Sequence, residues 1–150
     1  LLCVIIGGAW KGADSYERRI RDYAEARCGD RIVFLGTRQD VHDLYPGFDV
    51  AVHPSHSEGV GGAGESLQLG VPTIGTNVGG IPDVIKDGET GWLVPPRNPP
   101  RLAEAILDAL RDPVRSRQMA ARGCEGARNL LDVKKNARNV LNAYTAILNG

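Results

Sequence analysis

Between Leu1 and Val94, five short apolar runs alternate with segments of helical spacing, and few architectures accept that alternation. Leu1 to Ile6 runs into Gly7-Gly8, Ile32 to Leu35 is closed by Gly36, and Val50 to His53 by Pro54. Thr73 to Gly75 and Gly91 to Val94 supply the fourth and fifth runs, the last ending at Pro95-Pro96. Continuous apolar runs of this length suit parallel strands buried on both faces. Between them, Tyr16 to Ala26 is spaced as a helix, with Tyr16, Ile20, Tyr23 and Ala24 on one side. A short helix is expected over Asp40 to Leu44, a longer one from near Ala63 to Gly70, and a helical turn over Ile81 to Ile85. From Leu102 onward the pattern is helical throughout. Leu102, Ala105, Ile106, Ala109 and Leu110 form one apolar stripe; Val133, Ala137, Val140, Leu141, Tyr144, Ile147 and Leu148 form another, and both are expected to be packing faces. The predicted fold is α/β, a Rossmann-like open parallel sheet with helices on both faces, ending in C-terminal helices. Ligands of such sheets bind beyond the carboxyl ends of the strands.

The 150 residues are enough for one domain with a proper core. Eighteen Lys and Arg balance eighteen Asp and Glu, so no overall field draws in nucleic acid. Cys3, Cys28 and Cys124 are far apart and show no metal-ligand spacing, so neither a disulfide framework nor a zinc site is expected, and a reducing cytoplasm is the simpler setting. No apolar run reaches membrane-spanning length. The chain opens directly on an apolar run without an initiator Met, which suggests a piece of a longer protein.

Ser57 to Pro72 carries the chemistry. Glu58 and Glu65 flank a glycine-rich loop, Gly59-Val60-Gly61-Gly62-Ala63-Gly64, that leads from the third strand into a helix. Glycines let backbone approach a phosphate, the first N–H groups of a helix are unpaired donors, and carboxylates accept hydrogen bonds from sugar hydroxyls. These residues suit a nucleotide or a nucleotide sugar. The plainer alternative is a pair of solvated carboxylates stabilised by a helix dipole. Gly59, Gly61 and Gly64 also satisfy G-x-G-x-x-G, but five residues separate them from the strand and the next strand ends in Thr76-Asn77 without a carboxylate. Both features argue against a dinucleotide fingerprint.

The ordered strings His53-Pro54-Ser55-His56-Ser57-Glu58-Gly59, Glu65-Ser66-Leu67, Gly70-Val71-Pro72, Gly79-Gly80, Asp83, Gly88 and Gly91-Trp92-Leu93-Val94 resemble the C-terminal domain of retaining GT-B glycosyltransferases of the large family 4 type. Phe34-Leu35-Gly36, Val41, Leu44-Tyr45 and Asp49-Val50 fall where that family carries corresponding residues. The resemblance covers nearly the whole chain. It implies transfer of a hexose-type sugar from a nucleoside diphosphate sugar to a sugar, lipid or small-molecule acceptor. Glu58 becomes the catalytic carboxylate, touching the donor sugar's hydroxyls, and Glu65 holds the ribose. Backbone from Gly59 to Gly64 meets the diphosphate, and the loop at Gly36 and Thr37 lines the base. The chain departs from the family in one respect, with six residues between the glutamates where seven are usual. No metal and no other cofactor is implied, since cations and helix N-termini can take the leaving diphosphate's charge.

The family's diphosphate-neutralising Arg and Lys belong to a segment expected before Leu1, as does the acceptor-binding domain. The resemblance therefore implies half an enzyme, inactive by itself. Other readings are a GT-B-like epimerase or phosphorylase, or a non-catalytic sugar-nucleotide-binding module. Gly79-Gly80 reads as a turn in preference to part of the pocket, and Gly88 to Gly91 as a hairpin-like turn. His53 and His56 are expected to be structural, the alternative being a phosphate or hydroxyl contact. Lys134, Lys135 and Arg138 read as a solvated face, or as a peripheral contact with the inner membrane surface if the acceptor is lipid-linked.

Overall fold

The computed structural model describes residues 1–9 and 11–149. The chain forms two compact units, Leu1–Asp43 and Leu44–Gly150. In the first, β1 (Cys3–Ile6) and β2 (Ile32–Gly36) pair in parallel. A parallel pair needs a long crossover, and α1 (Asp14–Cys28) supplies it. This helix is two residues longer at each end than the apolar spacing suggests. Asp14 and Glu17 in its first turn and Arg27 in its last complement the helix dipole. Its predicted apolar side is largely uncovered: only Ala24 is buried. Tyr16 and Tyr23 lie under the guanidinium groups of Arg19 and Arg27, at 5.5 and 4.1 Å from the ring centroids. Nor is β1 buried on both faces as predicted. Val4 to Ile6 are half-buried and Cys3 is exposed, because this sheet has two strands and one helix.

A short helix α2 (Val41–Leu44) ends at the start of the second unit, where a 3-10 turn (Tyr45–Gly47) leads to β3 (Ala51–His53). There follow α3 (Gly61–Gln68), β4 (Thr73–Thr76), α4 (Ile81–Val84), β5 (Trp92–Val94), α5 (Pro99–Arg111), α6 (Pro113–Leu130) and α7 (Val133–Asn149). The strands lie in the order β3-β4-β5, all parallel, with Ala51 opposite Thr73 and Ile74 opposite Trp92. The single open sheet predicted from the runs is thus two parallel sheets, one in each unit.

Strand alternation in β4 and β5 shows helices on both faces of the larger sheet. Ile74, Trp92 and Val94 pack with Ala105 and Ala109 of α5 and Met119 of α6. The intervening residues face the other way. Leu93 packs on the cluster of Ala63, Leu67, Ile81, Val84, Ile85 and Ala127, and a Cβ at Gly75 would stand 2.5 Å from Ile81 Cγ2. Such alternation follows from the two-residue period of a strand. Leu67 and Ile74 are fully buried, and full burial of such a side chain stabilises by about 1.5–3 kcal/mol.

The C-terminal helices begin as their sequence dictates. Asn98 and Asp112 cap α5 and α6 by accepting the N–H groups of Arg101 and Arg115, with proline in each first turn. The α5 stripe packs as predicted, with Ala105 and Ala109 buried and Leu102 and Ile106 half-buried. The α7 stripe does not. Val133, Val140, Leu141, Tyr144, Ile147 and Leu148 are all exposed, and no residue described on this helix is buried.

Candidate functional site

The loops that leave β3 and β4 meet at the carboxyl edge of the second unit's sheet. Thr76 Oγ1 donates to the carbonyl of Ser55 at 2.7 Å, which ties the two strand exits together. One step out, the N–H of Gly80 donates to the carbonyl of Glu58 at 3.1 Å. Gly79 has φ +53, in the left-handed region that favours glycine, and a Cβ there would stand 1.9 Å from the Glu58 carbonyl oxygen. At Gly80 a Cβ would stand 2.8 Å from Val60 Cγ1. Gly79-Gly80 is a turn, as expected from its sequence, and it also forms the bed on which Glu58 to Val60 lie. The sequence signalled this second role only through the paired glycines.

Glu58 is half-buried and accepts a hydrogen bond from Ser55 Oγ at 2.9 Å, which fixes its carboxylate beside the loop. Glu65 lies one turn into α3 and is exposed. Helix α3 starts at Gly61, two residues before its predicted start, so most of the glycine segment is the helix's own first turn. No side chain caps that turn and no acidic residue lies in it. The first N–H groups of a helix have no intrahelical partner and are donors of the kind that bind anions.

The loop glycines separate into two kinds. A Cβ at Gly64 would stand 2.7 Å from Leu131 Cδ1, and one at Gly62 would stand 3.0 Å from the His53 ring, so packing explains both. At Gly59 and Gly61 a Cβ would meet nothing within 4 Å, and neither has a positive φ. Neither packing nor backbone conformation demands glycine at those two positions.

Behind the loop lies a polar network. His53 Nε2 is 3.1 Å from Ser66 Oγ, and Ser66, fully buried, donates to the Ala63 carbonyl at 3.0 Å. Thr73 Oγ1 is 2.9 Å from Ser66 Oγ and 2.8 Å from the Val71 carbonyl. Burial holds the imidazole of His53 below its ordinary pKa, and the Glu58 carboxylate pulls weakly the other way, so the ring is neutral near pH 7. Tyr45 is buried and donates its hydroxyl toward the Gly62 carbonyl at 3.5 Å. Burial, with the Glu65 charge adding to it, pushes that phenol's pKa up and keeps its proton in place. Sequence reading gave His53 a structural role and singled out neither Tyr45 nor Thr73 for this site. Residues so far apart in the chain carried no local signal of the network.

His56, Gly59 and Gly61 are exposed, and Val60 and Gly62 half-buried, while Ala63 and Gly64 are buried within α3. Gly36 and Thr37, the other predicted donor contacts, lie in the first unit. There the Gly36 carbonyl accepts the N–H of Gly7 at 2.9 Å, and a Cβ at Gly8 would stand 3.1 Å from Thr37 Oγ1. Elsewhere in the first unit, Glu17 of α1 accepts the N–H of Ala9 at 2.7 Å and is held below the usual carboxylate range by that bond and by Arg21. Gly88 to Gly91 form a tight turn, with the Gly88 N–H donating to the Gly91 carbonyl at 2.9 Å.

Residues 1–112 match the family model of the group 1 glycosyl transferases. The chain belongs to that family. It is 32% identical over 129 residues to D-inositol 3-phosphate glycosyltransferase of Corynebacterium diphtheriae, covering 84% of this chain and 30% of that protein. It is 37% identical over 97 residues to N-acetyl-alpha-D-glucosaminyl L-malate synthase of Bacillus anthracis, covering 64% of this chain and 26% of that one. This group 1 chain therefore spans about a third or less of the length of these curated relatives. Sucrose-phosphate synthase from Thermosynechococcus elongatus superposes with a TM-score of 0.85 at 29% identity, over 97% of this chain and 38% of that one. HepE from Anabaena, solved in complex with UDP, superposes with a TM-score of 0.91 at 22% identity, over 97% of this chain and 41% of that one. The α/β fold with parallel sheets and terminal helices is that of the GT-B glycosyltransferases, as the motif strings implied. Among the described residues no helix is long and apolar enough to cross a membrane.

Proposed function

We propose that this chain is the donor-binding part of a retaining glycosyltransferase that takes a hexose-type unit from a nucleoside diphosphate sugar. The observation that carries the reading is the pair Gly59 and Gly61, which open onto empty space between two carboxylates at an uncapped helix N-terminus. A diphosphate needs backbone N–H groups at close range, and a side chain at either position would stand in its way. HepE from Anabaena, which shares the fold, was solved in complex with UDP and with UDP-glucose, which supports the ligand class.

In this reading the first-turn N–H groups of α3 take the diphosphate's charge as the sugar–phosphate bond breaks, the kind of preorganised stabilisation that lowers a barrier most. Glu65 accepts the ribose hydroxyls. Glu58, oriented by Ser55, contacts the sugar, where its negative charge opposes the positive charge that develops at the anomeric carbon. The acceptor, a sugar or a lipid, is bound by the remainder of the longer protein.

Thermal unfolding with added ligand tests the reading, because a ligand that binds only the folded state stabilises it, by about 2.7 kcal/mol at a hundred times its Kd. UDP, GDP or ADP is expected to raise the melting temperature saturably, and NAD and NADP are expected to leave it unchanged. A saturable shift with NAD or NADP and none with a diphosphate would replace the donor reading with the dinucleotide one.

A further inference from the structure

His53 stands at the carboxyl end of β3 and touches α3 at two levels. Its Nε2 lies 3.1 Å from Ser66 Oγ. Four residues earlier, a Cβ at Gly62 would stand 3.0 Å from both Nδ1 and Cε1 of the same ring. Residues four apart share one face of a helix, so the imidazole lies along the first turn of α3. Ser66 places its hydrogen on the Ala63 carbonyl, which leaves its oxygen to accept Nε2–H beside the Thr73 hydroxyl. The Tyr45 hydroxyl holds the Gly62 carbonyl at 3.5 Å.

We propose that His53 is a positioning residue that sets where the first turn of α3 presents its N–H groups to the donor diphosphate. The proposal rests on the donor-site reading. The His53 side chain acts as a spacer, its bulk and its bond to Ser66 together fixing the gap between the end of β3 and the helix, and glycine is needed at position 62 because a methyl there would crowd the ring and shift the turn. Hydrogen bonds to a phosphate weaken steeply with distance and angle, so a displacement of a few tenths of an ångström in this turn is felt by the ligand.

The test titrates the 150-residue chain with UDP, GDP and ADP, continues with whichever binds tightest, and measures melting temperature separately. His53→Ala and Gly62→Ala are each expected to weaken binding about tenfold, one broken charge-assisted contact's worth. The double variant is expected to recover to within about threefold of wild type, since the alanine methyl occupies space the ring has vacated and the two changes couple. Gly62→Ala is expected to change the melting temperature little, because alanine's helix preference, about 1 kcal/mol, offsets much of the crowding against the ring; a merely structural role cannot produce lost affinity with retained stability. His53→Gln, which keeps a donor for Ser66, is expected to hold affinity within about threefold. If His53→Ala fails to fold, the Gly62→Ala and His53→Gln arms decide. Additive losses in the double variant, or unchanged affinity in Gly62→Ala, would overturn the proposal while leaving the donor reading intact. A wild-type chain that binds none of the three nucleotides overturns both.

Discussion

Gly79→Ala is expected to destabilise the chain by about 2–5 kcal/mol, the sum of about 1–2 for a left-handed backbone with a Cβ and about 1–3 for overpacking. Its methyl would stand 1.9 Å from the Glu58 carbonyl oxygen, so either Glu58 or the Gly79 turn must move. Backbone cannot rotate out of the way as a side chain can. Moving it also breaks the bond from Gly80 N–H to the same carbonyl, which leaves an acceptor unpaired at the sheet edge. Against a total stability of about 5–15 kcal/mol this is a large fraction. In urea unfolding the midpoint should fall without a change in slope, and nucleoside diphosphate affinity should fall with it because Glu58 to Val60 lose their support. An unchanged midpoint would show that the contact between the two loops is not as drawn.

The two glutamates are expected to separate in binding and turnover. Glu65 is exposed on α3 and free to take both ribose hydroxyls. Two charge-assisted hydrogen bonds, at about 1.5–3 kcal/mol each before water compensates, make Glu65→Ala about ten- to a hundredfold weaker for the bare nucleoside diphosphate. Glu58 already accepts Ser55 Oγ and, on this account, meets only the transferred sugar. Glu58→Ala should leave diphosphate affinity nearly unchanged and lower turnover in the full-length protein, as for a group whose contacts matter most in the transition state. Both variants should fold, since neither carboxylate lies in the core. Equal loss of affinity in the two would end the division of labour, and no loss in either would return both to ordinary helix-end charges.

Much of the second unit was legible because its signals are local. The run Val50-Ala51-Val52-His53 before Pro54, and Thr73-Ile74-Gly75 after a Gly-x-Pro exit, each mark a buried parallel strand. Gly70, at φ +73 just past α3, ends the helix where the sequence placed its exit. The exposed apolar stripe of α7 reads falsely as a packing face, because periodicity reports that a helix has an apolar side and not whether anything described in this chain covers it. The start of α3 was missed by two residues because glycines at 61 and 62 disfavour helix intrinsically; the approach to His53 and the Tyr45 hydroxyl overrides that preference. At the site, both carboxylates and the glycine loop were visible as a string. The bed formed by Gly79-Gly80 and the His53–Ser66–Thr73 network were not, since each joins residues that only the parallel sheet brings together.

The central claim is that the Glu58 to Glu65 segment holds a nucleoside diphosphate. Calorimetric titration of the 150-residue chain with UDP, GDP and ADP tests it most directly. Saturable, weak binding to at least one of them is expected, weak because on the proposed reading further donor contacts lie outside this chain, together with the loss of that binding in Glu65→Ala. Absence of heat and of saturation with all three, at millimolar nucleotide and with a chain shown to be folded, would contradict it.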